Sequence, residues 1–121
     1  MHMIDHVSVA VRSLEKSIGF YEAALGALGY EKLVVRERTV GFGKRYAEIW
    51  LNLRETIAVS DGAHVCLRAK SAERVDAFYR AALANGGSDD GAPGEREHDG
   101  EGQAYYAAFV RDPEGNKLEA M

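Results

Sequence analysis

The amino-acid sequence contains two copies of one pattern, separated by 58 positions. Shifting the chain by that distance places residues 5–29 over residues 63–87 without a gap, and about ten of the 25 aligned pairs are identical. His6 aligns with His64, and Ser13 aligns with Ser71. A pattern of this length that occurs only twice predicts two copies of one supersecondary module packed against each other.

Each copy predicts a strand followed by a helix. Apolar residues alternate in 6–11 and 64–69, which is typical of strands with one buried face. Ser13 and Ser71 are predicted helix N-caps, because each is followed two residues later by a glutamate that suits the positive end of a helix. Glycines follow the last apolar residues of both helical patterns, and they predict where the helices end.

Further strands are predicted after each helix, at residues 30–37, 39–43 and 46–53 in the first module and at 105–111 and 117–121 in the second. The sequence Asp-Pro-Glu-Gly-Asn at 112–116 predicts a tight turn between the last two strands. Residues 85–103 contain six glycines, so we expect a loop with at most one short irregular strand.

The predicted fold class is α+β, with two βαβββ modules at about 3–55 and 61–121 that supply eight strands of mixed sheet. A chain of 121 residues is long enough for one packed core, so we treat 1–121 as a single domain.

Three residues are candidate metal ligands. His6 and His64 occupy the same position in the two modules, so a pseudo-twofold axis would bring them towards one point. Glu119 is flanked by Leu118 and Ala120, which should face the helix, so the carboxylate should face the histidines. A divalent cation would compensate for the cost of enclosing that carboxylate.

A fourth ligand is less clearly defined by the sequence. Glu48 aligns with Glu119 when the last strands of the modules are compared, which predicts Glu48 as a second carboxylate ligand. Trp50 lies on the same face of the strand. A shift of two residues would therefore place the indole at the position of the fourth ligand.

The chain resembles the vicinal oxygen chelate superfamily, which includes glyoxalase I, the extradiol dioxygenases and the bleomycin and fosfomycin resistance proteins. The resemblance covers nearly the whole chain and rests on residues 5–9, 63–65 and 109–116, followed by Glu119. It implies paired modules that form a cupped, eight-stranded sheet. It also implies a divalent metal held by His6, His64 and Glu119, with Glu48 as a fourth ligand if the site is like that of glyoxalase I.

The resemblance leaves the metal open among Ni, Zn, Co, Mn and Fe, and it leaves the substrate unidentified. Ala10 occupies the position where glyoxalase I has an arginine for the glutathione carboxylate, so we do not expect glutathione as the substrate. Six further residues are candidates for a substrate pocket, although each has an alternative as a surface or core side chain: Tyr46, Trp50, Arg68, His98, Tyr105 and Tyr106.

Composition excludes some classes of partner. The net charge is −4 and basic and acidic residues are interspersed, so no cationic stripe is expected to bind nucleic acid. No run of about 18 apolar residues predicts a membrane span, and no signal peptide is recognised. The single cysteine, Cys66, fits a reducing compartment, so we expect a cytoplasmic protein. Exposed strand edges and apolar faces predict a homodimer.

Three functions are consistent with these features. The first is a lyase or isomerase in which a metal activates a small oxygen-bearing substrate as a Lewis acid while a carboxylate, Glu119 or Glu48, transfers a proton. The second is a metal-free protein that sequesters a small molecule or antibiotic. The third is an Fe(II) dioxygenase of the extradiol type, since two histidines and one carboxylate suit Fe(II).

Overall fold

A computed structural model describes residues 3–97 and 100–121, and these form two helices and nine strands. The first module consists of β1 (Val7–Val11), α1 (Leu14–Ala27), β2 (Glu31–Val35), β3 (Thr39–Gly43) and β4 (Ala47–Leu53). The second consists of β5 (His64–Leu67), α2 (Ala72–Ala84), β6 (Ser88–Asp89), β7 (Gly94–Arg96), β8 (Tyr105–Arg111) and β9 (Lys117–Ala120). The predicted α+β class with two modules is confirmed.

The strands form two sheets, one in each module. The first sheet has the order β1-β4-β3-β2, and the second has the order β5-β9-β8-β6, with β7 also paired to β8. The expected single sheet of eight strands is therefore replaced, within the described residues, by separate sheets of four and five strands. The first strand of each module is parallel to the last, and the other pairs are antiparallel.

The expectation of at most one short strand in residues 85–103 is wrong. Both β6 and β7 pair with β8, with Ser88 opposite Arg111 and Gly94 opposite Ala107. The reason is that β8 is seven residues long, and its backbone donors and acceptors need partners along its whole edge. Short polar segments therefore serve as strands here without any apolar alternation.

The predicted caps start both helices. The hydroxyl of Ser13 accepts a hydrogen bond from the backbone N–H of Lys16, and Ser71 does the same for Arg74, at 3.3 Å in each case. The helices pack against each other and against one face of each sheet, and the two modules share one hydrophobic core. None of the helices among the described residues is long and apolar enough to cross a membrane.

Alternation along the strands then determines which residues lie opposite the helices. Val11, Leu118 and Ala120 are fully buried in the core. Their neighbours in the strands therefore lie on the other face of each sheet, which we call the open face. On the first sheet the open face includes Ser8 and Trp50, and on the second it includes the residues listed next: His64, Cys66, Phe109 and Glu119.

Candidate functional site

The open face of the second sheet holds a histidine and a carboxylate in direct contact. Nε2 of His64 lies 2.9 Å from Oε1 of Glu119. The Glu119 side chain is 7% exposed, whereas that of His64 is 40% exposed. Glu119 is on β9, a strand with neighbours on both sides, and it pairs with Cys66 on β5 and Phe109 on β8. These neighbours enclose the carboxylate, so it needs a positive or hydrogen-bonding partner.

Two more polar side chains lie near this carboxylate. Desolvation, followed by the nearby Glu119 carboxylate, raises the pKa of Cys66 to about 12, although the residue is exposed in a single chain. The thiol is therefore neutral near pH 7, which makes it a poor nucleophile. Desolvation and the charge of Glu119 also raise the pKa of Tyr105, so its hydroxyl keeps its proton.

His6 lies just before β1, at the start of the first sheet. Its Nδ1 is 2.7 Å from Oδ1 of Asp5, and its side chain is 53% exposed. The residues before it, Met3 and Ile4, are large apolar side chains that are 94% and 61% exposed. This end of the first module is therefore an uncovered apolar surface next to a histidine.

The strand register shows which residue of the first module is equivalent to Glu119. Ser8 pairs with Trp50, and the equivalent residue of the second module, Cys66, pairs with Glu119. Trp50 is therefore the structural equivalent of Glu119, and the alignment of Glu48 with Glu119 is wrong by two residues. Whether Glu48 binds a metal is a separate question, and that role stays a prediction.

A small residue makes room for the Trp50 indole. Gly41 on β3 is directly opposite Trp50, and a Cβ atom at Gly41 would lie 3.0 Å from indole atoms Cε3 and Cζ3. In the second sheet the equivalent pair is Phe109 with Glu119. Each pair therefore contains one aromatic side chain, which is Trp50 on β4 in the first sheet and Phe109 on β8 in the second. The guanidinium of Arg36 lies over the Trp50 ring, with Cζ 5.4 Å from the ring centroid.

A cleft of about 510 Å³ runs between the modules. Four of the sequence-predicted residues line it: His6, Glu48, His64 and Arg68. Glu119 is not among the residues that line this cleft. In the described part of the chain, no three or more His, Cys, Asp or Glu side chains are grouped closely enough to hold a metal ion. One chain therefore brings two predicted ligands into contact, His64 and Glu119.

The remaining predicted pocket residues lie in different environments. Tyr106 faces the helix, because its hydroxyl donates to Oδ1 of Asp76 in α2 at 2.6 Å and it packs against the core. Tyr46 is 51% exposed. Tyr105 is on the open face near Glu119, and His98 lies outside the described residues.

Sequence reasoning missed two residues of the open faces. Phe109 alternates with core residues of β8, so the alternation that predicted the position of Glu119 also predicts Phe109 on the open face. Arg36 follows β2 and had no local signal, since a basic residue after a strand is ordinary on a protein surface.

The His64–Glu119 pair fits part of a metal site. Two ligand atoms on one divalent ion, each bonded at about 2.0–2.2 Å, lie roughly 3 Å apart. The observed separation of 2.9 Å agrees with that value, and it equally suits an ion pair in the absence of metal. Both donor types, imidazole nitrogen and carboxylate oxygen, are common ligands of divalent transition metals. A metal held here would need a third protein ligand besides this pair.

Comparison with known proteins agrees with this fold. The model of the glyoxalase/bleomycin resistance protein/dioxygenase superfamily matches residues 3–120. The chain therefore belongs to this superfamily. No curated protein matches it. A crystal structure of a glyoxalase/bleomycin resistance protein from Albidiferax ferrireducens T118 is 33% identical, with a TM-score of 0.86, and the match covers 98% of this chain and 97% of that one.

More distant structures share the fold. A glyoxalase/bleomycin resistance protein/dioxygenase family enzyme from Burkholderia phytofirmans PsJN is 20% identical, with a TM-score of 0.71, and the match covers 96% of this chain and 94% of that one. A fosfomycin resistance protein from Listeria monocytogenes is 17% identical, with a TM-score of 0.69, and the match covers 99% of this chain and 92% of that one. At these identities the likeness concerns the fold alone.

Proposed function

We propose that this protein is a divalent-metal-dependent enzyme that acts on a small oxygen-bearing substrate. His64 and Glu119 supply two ligands, and His6 of a second copy of the chain supplies the third. The observation that carries the proposal is the 2.9 Å contact between His64 and the enclosed carboxylate of Glu119 on the open face. The apolar surface beside His6 supports the use of a second copy, which would cover Met3 and Ile4.

The reaction proposed is a proton transfer of the lyase or isomerase type. The metal, when bound, supplies Lewis acidity towards an oxygen of the substrate. A carboxylate of the site, Glu119 or Glu48, accepts a proton from the carbon beside that oxygen. Glu48 is exposed and lines the cleft, so it is accessible to a small molecule. The neutral Cys66 thiol takes no nucleophilic part.

Metal content of the purified protein tests the proposal. The wild type, prepared without chelator, should contain a stoichiometric divalent metal by elemental analysis, and His64→Ala and Glu119→Gln should each weaken its binding by roughly 100-fold or more, since even indirect contacts to a metal are worth 10–100-fold. Glu15→Gln, at an exposed position of α1, is the matched control. A wild type that is metal-free and does not bind added metal would favour the sequestration of small molecules instead.

The role of Glu48 is tested by the same measurement. If Glu48→Gln loses metal as Glu119→Gln does, Glu48 is a fourth ligand. If Glu48→Gln retains the metal but loses turnover, Glu48 acts as the base alone.

A second candidate, Fe(II)-dependent oxygen chemistry, is favoured by the position of Trp50. Because Trp50 is the equivalent of Glu119, the repeated positions offer two histidines and only one carboxylate, which is the ligand set of many Fe(II) oxygenases. Anaerobic turnover of α-hydroxycarbonyl substrates with Ni(II), Co(II) or Zn(II) should be compared with oxygen uptake in the presence of Fe(II) and catechols. Activity that requires both Fe(II) and oxygen would replace the proton-transfer proposal.

A further inference from the structure

The Arg36 side chain is held on the open face of the first sheet. Its backbone N–H donates to the carbonyl of Thr39 at 2.9 Å, which fixes the end of β2 beside β3. From there the guanidinium reaches over the Trp50 ring, at 5.4 Å from Cζ to the centroid. Gly41 on β3 lies opposite Trp50, and its lack of a side chain leaves the space that the indole occupies. This cation–π contact places a permanent positive charge beside the indole.

Other basic side chains over aromatic rings are already engaged. Arg96 and Lys117 both lie over Phe109 in the second sheet, at 5.5 and 5.0 Å. Arg96 donates to the carbonyl of Ala92 at 2.9 Å, and Lys117 pairs with Asp90 at 3.2 Å. The guanidinium of Arg36, in contrast, has no hydrogen bond or ion pair with any residue that the structure describes. The contact with the Trp50 ring uses the charge of the guanidinium and does not engage its N–H donors in a hydrogen bond.

The surrounding segment is basic in an acidic protein. Residues 31–54 contain six Lys or Arg and three Asp or Glu, whereas the whole chain has a net charge of −4. Glu48 is the acidic residue of β4, and it lines the cleft rather than pairing with Arg36. The local charge therefore favours an anion over a cation as the ligand at Arg36.

We infer that Arg36 and Trp50 form a binding subsite for an oxyanion of the substrate, a carboxylate or a phosphoryl group attached to a planar or compact body. Two in-plane N–H groups of a guanidinium match the two oxygens of such a group, and the indole supplies an apolar contact for the rest of the molecule. The inference rests on the proposed function in that it takes the open face to be the place where the substrate binds. It specifies a substrate class, an anionic small molecule.

The single tryptophan of the chain allows a direct test. Because Trp50 is the only tryptophan, its fluorescence reports this subsite alone. Full-length protein treated with chelator is titrated, at constant ionic strength, with benzoate, with its neutral isostere benzamide, and with phenylphosphonate. The same titrations are made on Arg36→Gln, Arg36→Lys and Arg80→Gln, the last being an exposed arginine of α2.

We expect saturable binding of at least one of the two anions to the wild type and to Arg80→Gln, and much weaker binding of benzamide. Arg36→Gln should raise the dissociation constant of the anion roughly tenfold or more, the loss typical of a charge-assisted contact, and Arg36→Lys should lie between the two. Tighter binding of benzoate would indicate a carboxylate ligand, and tighter binding of phenylphosphonate would indicate a phosphoryl ligand.

Equal dissociation constants in the wild type and Arg36→Gln, or benzamide binding as tightly as benzoate, would overturn the inference. Circular dichroism and urea unfolding of Arg36→Gln confirm that the variant is folded. Since the titrations use metal-free protein, they are independent of the metal content of the wild type. Failure of the metal proposal and failure of the anion subsite are thereby told apart.

Discussion

The carboxylate of Glu114 accepts hydrogen bonds from both the side chain and the backbone of Arg12, from Nε at 2.9 Å and from the backbone N–H at 2.8 Å. Arg12 follows β1 of the first module, whereas Glu114 is in the turn between β8 and β9 of the second. The Glu114 side chain is 7% exposed and also accepts from the backbone N–H of Ser13 at 3.1 Å. This contact joins the modules next to the strands that carry the site.

Glu114→Gln should make the free energy of unfolding less dependent on pH in the acidic range. Burial raises the pKa of Glu114, but the hydrogen bonds from Arg12 and Ser13 outweigh that effect and lower the pKa below its ordinary value of 4.5. A carboxylate with a lowered folded pKa stabilises the protein above the unfolded pKa, and this contribution is lost as pH falls through the folded pKa. We expect Glu114→Gln to reduce the free energy of unfolding by about 1–2 kcal/mol at pH 7.

Urea unfolding at pH 7 and at acidic pH measures this difference, with Glu55→Gln, at an exposed position outside the helices and strands, as the surface control. The gap between Glu114→Gln and the wild type should narrow in acid, where the wild-type carboxylate is protonated. A gap of the same size at both pH values would contradict the role of the charge.

Removal of the Tyr21 hydroxyl should destabilise the closing turn. This fully buried hydroxyl donates to Oδ2 of Asp112 at 2.6 Å, and Oδ1 of Asp112 accepts the backbone N–H groups of Glu114 and Asn116. Tyr21→Phe leaves a buried carboxylate short of a donor and should cost about 1–3 kcal/mol. Tyr79→Phe, which removes an exposed hydrogen bond to Asp89, should cost less than about 1 kcal/mol.

Thermal and urea unfolding of the two variants provide the comparison. Equal decreases in the free energy of unfolding of Tyr21→Phe and Tyr79→Phe would show that burial of the Tyr21–Asp112 contact does not add to its stabilising effect.

Two glycine-to-alanine changes should have opposite effects. A Cβ at Gly41 would lie 2.7 Å from the Cβ of Ala47 and 3.0 Å from the Trp50 indole, so Gly41→Ala must displace the ring and should cost about 1–3 kcal/mol. Gly19 is in α1 with nothing within 4 Å of an added Cβ, so Gly19→Ala should stabilise the helix by about 0.5–1 kcal/mol.

Near-ultraviolet circular dichroism and Trp50 fluorescence should change in Gly41→Ala and stay as in the wild type in Gly19→Ala. An unchanged tryptophan signal in a fully stable Gly41→Ala variant would show that the indole does not depend on Gly41 for its position.

Mixing two inactive variants should restore metal binding if His6 comes from a second copy. His6→Ala and His64→Ala should each lose the metal. In a mixed dimer, one site combines the intact His6 of one chain with the intact His64 and Glu119 of the other, so about half of the sites in mixed dimers should recover. Sedimentation of the wild type at tens of micromolar should show the dimer that this requires.

The mixing experiment requires unfolding and refolding, or coexpression, so that the chains exchange. Metal binding that stays absent in verified mixed dimers would mean that all ligands belong to one chain. A monomer in sedimentation would exclude a shared site while leaving the His64–Glu119 pair intact.

Much of the fold was predictable because its signals are local. The repeat at 58 positions predicts two equivalent modules, and the serine caps and apolar periodicity predict both helices. Alternation in the strands correctly placed Glu119 and His64 on the face opposite the helices. These predictions hold because a period of two or 3.6 residues determines which side of an element faces the core.

Only the tertiary structure decided the register and the pairing of the strands. A shift of two residues keeps every side chain of a strand on the same face, so alternation alone does not distinguish Glu48 from Trp50 as the equivalent of Glu119. The hydrogen bonds between β1 and β4 make that choice in favour of Trp50. In the same way, β6 and β7 exist because β8 offers them backbone partners, and their own sequence carries no strand pattern. Contacts between distant segments fix these features, and a local sequence pattern contains no information about them.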